Sequence, residues 1–190
     1  YYLCNYEKTL GVYQAIFCIE NTIRNFIVER MSERHGLDWW EQKVPMNIKK
    51  AVELLSERAG EIISISSNYE TQPDGFVSEN SFVNIALCME TSFSALELLD
   101  ICEDIEKIIG RKTKSVNLNY SDRVIDIDIL YFNNAQINTE RLILPHPRMH
   151  KRRFVLEPLC EIAPKVKHPI LGISTRKMLQ ELEAKEKYLN

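Results

Sequence analysis

The stretch RVIDIDILYF, Arg123 to Phe132, decides the fold. After its leading arginine it is an apolar run broken only by Asp126 and Asp128. Its β-branched residues and short length predict a strand over residues 126–132. On a strand, residues two apart project from one face, about 6.5–7 Å from each other. Asp126 and Asp128 therefore point together, while Ile125, Ile127 and Ile129 point to the other face and a core. Two unpaired carboxylates in a buried strand are costly or stay protonated. One way out is a sheet whose second face is wet. The other is a divalent cation: oxygen-only ligands favour Mg2+, which shares its coordination with waters and substrate phosphates. Carboxylates at this spacing can also hold two ions.

The flanks bear on that choice. Arg123 precedes the pair, and Arg111, Lys112 and Lys114 lie in the loop before it. His146, Arg148, His150, Lys151, Arg152 and Arg153 follow it. Cations gathered around a carboxylate pair are the composition of a site for a polyphosphate with its metal.

Further out, apolar spacing over residues 12–34 predicts a helix, with Val12, Ile16, Ile19, Ile23, Phe26 and Ile27 on one stripe and Gly36 as its stop. Residues 36–47, with Trp39, Trp40 and Pro45, read as a connector, and a second helix runs from Ile48 to near Gly60. Residues 62–66 and 82–90 predict strands, the second half-buried. Residues 94–109 predict a helix capped by Ser94 and ended by Gly110. Residues 142–147 are extended, and 154–162 and 175–187 are helical. Residues 72–81 and 111–122 are long polar loops. The order resembles a βαββαβ unit without its first strand, with helices expected on one face of an antiparallel sheet.

Bulk properties narrow the class. A chain of 190 residues, 45% hydrophobic and 27% charged, makes one domain, or one with an appendage, and buries a core without staples. A net charge of −3 lends nothing to general polyanion binding, so no nucleic acid is expected. The five cysteines (Cys4, Cys18, Cys88, Cys102 and Cys160) are odd in number and lack a CxxC pair, which suits free thiols in a reducing compartment. The sequence has no apolar run of about 18 residues and no signal-peptide pattern, so no membrane association and a cytoplasmic location are expected. The first residue is Tyr1 rather than Met, so the true N-terminus is expected upstream.

The residues from about 48 to 182 carry a longer pattern. Arg123-Val-Ile-Asp126-Ile-Asp128 is followed by Pro145-His146-Pro-Arg-Met-His-Lys-Arg-Arg-Phe154 and VLEPLCEIAP. Upstream stands SSNYETQPDGF, with Phe82 and Asn84 beyond it. This resembles the 6-hydroxymethyl-7,8-dihydropterin pyrophosphokinases of folate biosynthesis. The resemblance implies an α+β, ferredoxin-like sandwich with an antiparallel sheet. It implies transfer of a pyrophosphoryl group from ATP, the co-substrate, to the pterin hydroxymethyl oxygen. By the same resemblance Asp126 and Asp128 would hold two Mg2+ ions, and Arg123, His146 and Arg152 would contact phosphates, with Arg111 and Arg141 nearby. Glu106 and Ile129 would lie near the nucleotide, and Tyr120 would cover the site. Phe82 and Phe154 would sandwich the pterin, and Thr71 and Asn84 would bind its edge. The two long loops would be lids. Taken alone, each phenylalanine is a core residue, Asn84 an outward polar group and Arg152 solvated surface. Their joint spacing with the aspartates reverses that.

Residues 1–47 depart from the pattern, which opens with a strand and a GSNLG-like turn. Here the first strand is expected to be missing or replaced by an atypical helical segment, 1–47, ahead of a pyrophosphokinase-like domain, 48–190. The segment is loosely similar to HEPN-type helical domains, with Arg30 and His35 in that family's ribonuclease spacing, although these also suit a helix C-terminus. It also suits homodimerisation. An alternative to an active enzyme is therefore an impaired relic or fusion, in which this helix mediates association.

Overall fold

The computed structural model describes residues 13–20, 45–71, 82–110 and 125–188. Among them the order is β1 (Tyr13–Glu20), α1 (Met46–Arg58), β2 (Glu61–Ile65), β3 (Tyr69–Thr71), β4 (Phe82–Thr91), α2 (Ala95–Ile109), β5 (Asp126–Phe132), β6 (Ile137–Asn138), β7 (Ile143–Leu144), a 3-10 turn (Met149–Lys151), α3 (Arg153–Ile162) and α4 (Thr175–Lys187). The main sheet is antiparallel in the order β2-β4-β1-β5, with β3 also pairing β4.

Local chemistry fixes the ends of the elements. At the start of α2, Glu97 N–H donates to Ser94 Oγ, and the Glu97 carboxylate accepts the Ser94 N–H at 2.8 Å, a capping box. Gly110 closes the helix at φ 126°, where a side chain would be strained. Ser174 caps α4 through Lys177 N–H. The sequence reading of these helices and of β2, β4 and β5 agrees with the structure to within a residue or two.

Apolar clusters lie on both faces of the sheet. On one face α1 and α2 bring Ile48, Val52, Leu55, Leu98, Cys102 and Ile105 against Ile85, Leu87 and Met89 of β4 and Ile125, Ile127 and Ile129 at β5. On the other, α3 brings Val155 and Leu159 against Ala86 and Cys88 of β4, Ile16 of β1, and Leu130 and Tyr131 of β5. Arg153 ties α3 to α4 through Glu186 at 2.9 Å and Glu183 at 3.5 Å. The expectation of helices on one face is thus corrected. β4 is not half-buried either, since Val83 through Cys88 are all buried.

The larger correction concerns the N-terminus. Tyr13–Glu20 is not the start of a helix but a strand, and it pairs β4 on one side and β5 on the other. The missing strand is present and central. YQAIFCIE is apolar at nearly every position, and periodicity alone does not separate a buried strand from a buried helix in such a run. The facing edges of β4 and β5 decide the matter, because their inner N–H and C=O groups need partners. The rest of the expected helix, with Arg30, His35 and Gly36, lies outside the described residues, as does Cys4.

Candidate functional site

β5 positions the acidic pair by its pleat. Ile127 and Ile129 are 4% exposed in the α1/α2 core, so Asp126 and Asp128 between and beside them face the α3 side, each half-buried. Directly across the ladder, Asp126 is opposite Glu20 and Asp128 opposite Cys18 in backbone register.

His146 reaches the pair from the segment after β7, which follows a cis Leu144–Pro145 bond. Its N–H donates to Leu130 O at 3.0 Å, which anchors the segment to the outer edge of β5. His146 Nε2 then stands 4.0 Å from Asp128 Oδ2. Arg152, at the start of α3, places Nη1 at the same 4.0 Å from that oxygen. Neither approach is a hydrogen bond, so carboxylate, imidazole and guanidinium converge without closing on one another. Burial lowers the pKa of His146; Asp128 opposes this, and Arg152 and Arg148 reinforce it. The imidazole is thereby held neutral near pH 7, and its Nδ1 is buried with no protein partner. The Arg152 guanidinium also lies 5.4 Å from the centroid of the Phe154 ring.

A second group of polar atoms lies on β3 and β4. Asn84, 1% exposed, donates from Nδ2 to Thr71 Oγ1 at 2.9 Å, while its Oδ1 has no protein partner. Thr71 keeps its hydroxyl hydrogen, so the pair offers an acceptor beside a donor. That pattern suits the edge of a flat heterocycle, and Phe154, half-buried against the α3-side cluster, suits its face.

Other sequence candidates lie elsewhere. The Ile129 side chain is in the core on the opposite face of β5 from the aspartates. Glu106, 5% exposed, accepts the Ile127 N–H at 2.8 Å. Arg141 is paired with Asp100 at 2.6 Å and Glu103 at 3.6 Å on α2. Phe82 opens β4 opposite Thr71 in register; its side chain, together with Arg111, Tyr120, Arg123 and both expected lids, lies outside the described residues.

The sequence reading missed Glu161, whose carboxylate gathers Ser67 and Tyr69. The available signal was its place seven residues, or two helical turns, after Phe154. It also missed a cluster in which Tyr131 lies edge-on to His168 at 5.8 Å, and His168 edge-on to His150 at 6.1 Å. His168 Nδ1 accepts the N–H groups of Ile170 and Leu171, both at 3.2 Å, which leaves its proton on Nε2. That nitrogen offers no lone pair to a metal.

The donor set at the aspartate pair is carboxylate oxygen alone, which fits Mg2+. Among the described residues no group of three His, Cys, Asp or Glu side chains converges on a metal position. A cation here would complete its shell with oxygens from outside the protein, beside the imidazole of His146 and the guanidinium of Arg152. Among the described residues no helix is long and apolar enough to cross a membrane.

Comparison with known proteins gives a consistent result. Residues 41–164 match the family described as 7,8-dihydro-6-hydroxymethylpterin-pyrophosphokinase (HPPK). The 2-amino-4-hydroxy-6-hydroxymethyldihydropteridine pyrophosphokinase of Bacillus subtilis (strain 168) is 43% identical over 129 residues, 67% of this chain and 75% of that one. The protein of the same name from Aquifex aeolicus (strain VF5) is 41% identical over 136 residues, 72% of this chain and 80% of that one. Among solved structures, the wild-type HPPK-DHPS of Plasmodium falciparum matches with a TM-score of 0.65 at 16% identity. That likeness covers 94% of this chain and 46% of the other, and it speaks to the fold alone.

Proposed function

The chain belongs to the 7,8-dihydro-6-hydroxymethylpterin-pyrophosphokinase family, and from that premise we propose how its residues carry out the reaction. The enzyme transfers pyrophosphate from ATP to 6-hydroxymethyl-7,8-dihydropterin in folate biosynthesis. The pterin hydroxymethyl oxygen attacks the β-phosphorus, the bond from that phosphorus to the α–β bridging oxygen breaks, and AMP leaves with that oxygen. The hydroxyl proton passes to solvent. Such transfer rests on positioning and charge neutralisation rather than on a covalent nucleophile.

The observation that carries this assignment of roles is the convergence of His146 and Arg152, each 4.0 Å from Asp128, beside Phe154. Asp126 and Asp128 would hold Mg2+, in our reading two ions, whose charge would offset that of the triphosphate. His146, Arg152 and Arg123 bind phosphate oxygens. Phe154 stacks on the pterin with Phe82 on its other face, and Thr71 and Asn84 bind its edge. Tyr120 and Arg111 are assigned to the substrates by the family pattern alone. Glu106 and Ile129 serve the nucleotide side through β5, the latter by its backbone. Arg141 meets a phosphate only by leaving Asp100 and Glu103. The free thiols Cys102 and Cys160 and the use of ATP support a cytoplasmic location.

The impaired-relic alternative drew its force from a missing strand, and β1 removes that ground. β1 also ties residues 13–20 to the sheet, so we place them in the catalytic domain. A homodimer through a helix over these residues is not carried forward. The deciding experiment measures AMP released from ATP and Mg2+ with and without the hydroxymethyl pterin. Pterin-dependent AMP is expected; ATP binding with no pterin-dependent AMP would overturn the proposal.

A further inference from the structure

The segment between β2 and β3 is held at both ends. Ser66, fully buried, continues the pairing with β4: its N–H donates to Ala86 O at 2.9 Å, and its Oγ accepts the Ala86 N–H at 2.9 Å. The chain then crosses in front of α3. There the Glu161 carboxylate accepts the Ser67 N–H at 2.9 Å, the Ser67 hydroxyl at 3.1 Å and the Tyr69 hydroxyl at 3.2 Å. β3 begins at Tyr69 and ends at Thr71, whose Oγ1 receives Asn84 Nδ2. The circuit thus leaves β4 at Ala86 and returns to it at Asn84, two residues away.

Glu161 shares a stripe of α3 with Phe154, since seven residues make two turns and span about 10 Å. One rigid helix therefore carries the aromatic wall of the proposed pterin site and grips the strand that carries its polar edge. We propose that Glu161 is a positioning residue for the pterin: it sets the distance between Phe154 and the Thr71–Asn84 pair without touching substrate. This rests on the function proposed above. Tyr69 is suited to be a permanent donor, because burial first, and Glu161 next, push its phenol up to about 12.

Glu161 is itself exposed. Hydrogen bonds at such a site add little to global stability, so the effect belongs in substrate affinity. Glu161→Ala is expected to raise KM for the pterin about tenfold or more while KM for ATP stays within twofold. Tyr69→Phe, which removes one donor of three, is expected to give a smaller rise in the same parameter, and Glu161→Gln, which keeps an acceptor, to recover part of the loss. In the absence of substrates, backbone hydrogen exchange at residues 67–71 is expected to quicken in Glu161→Ala while the α3 amides keep wild-type protection. A pterin KM within twofold of wild type, an equal rise in both KM values, or unchanged exchange at 67–71 each overturns the proposal. A wild-type chain without pterin-dependent AMP would instead sink the functional reading, and the exchange measurement would still decide whether Glu161 holds this segment.

Discussion

The Glu106 carboxylate accepts the Ile127 N–H at 2.8 Å, taking the place of a neighbouring strand on the outer side of β5. Ile127 sits between Asp126 and Asp128, so this bond steadies the backbone that aims both. A carboxylate 5% exposed is costly to bury unless it is so bonded. Glu106→Ala is expected to lower unfolding free energy by about 1–3 kcal/mol in urea titration, because a buried N–H loses its partner. It should also raise the Mg2+ concentration needed for half-maximal AMP release. Glu106→Gln keeps an acceptor and should do less of both.

Asp126→Asn and Asp128→Asn are near-isosteric at half-buried positions. Each is expected to cut AMP formation by about 100-fold or more, since the cation that offsets triphosphate charge loses a ligand. Thermal unfolding of the two variants should stay within a few degrees of wild type. Near-normal rates in either variant would remove the metal assignment.

Gly60 joins α1 to β2 at φ 147°, and a Cβ there would run into Glu90 O of β4. Both the backbone angle and the close approach exclude a side chain. Gly60→Ala is expected to cost more than about 2 kcal/mol by the same titration, whereas Gly110→Ala, at φ 126° but with open space around it, should cost less.

Acid should weaken the fold near α3. Burial lowers the pKa of His150 from its ordinary 6.5, and Lys151 and Lys185 add to it. Burial lowers that of His168, and His150 adds to it. The unfolded chain takes up protons near pH 6.5 while the folded chain still resists, so it binds more protons, and stability falls as pH falls below that value. The urea midpoint should therefore be lower at pH 5.5 than at pH 7.5, with a smaller difference in His168→Gln. A midpoint that rises on acidification would contradict the neutral cluster.

Much of this was legible in the sequence where local chemistry decides. Ser94 and Gly110 mark α2 by capping alone, and the alternation of isoleucine with aspartate fixes which face of β5 bears the carboxylates. β1 was not legible, because YQAIFCIE is apolar at nearly every position and only the unsatisfied inner edges of β4 and β5 choose a strand. Arg152 and Arg153 show the same limit within the site. They are adjacent cations in one run, yet Arg153 is consumed by Glu157, Glu183 and Glu186 while Arg152 turns to Asp128 and Phe154. Glu161 was hidden because its partners, Ser67 and Tyr69, are more than ninety positions away.

The interposed β1 has a consequence for how this protein tolerates change. Asn84 and Asp128 stand on strands that never touch; one intervening ribbon, two ladder widths or about 9.6 Å across, sets the gap between them. The gauge is made of peptide groups, which every residue but proline supplies alike. The segment that spaces these two positions lies outside the 41–164 match, and its composition can change only where its rungs stay aligned and its buried side chains, Ala15 and Ile16 among them, still fit the cores on the two faces.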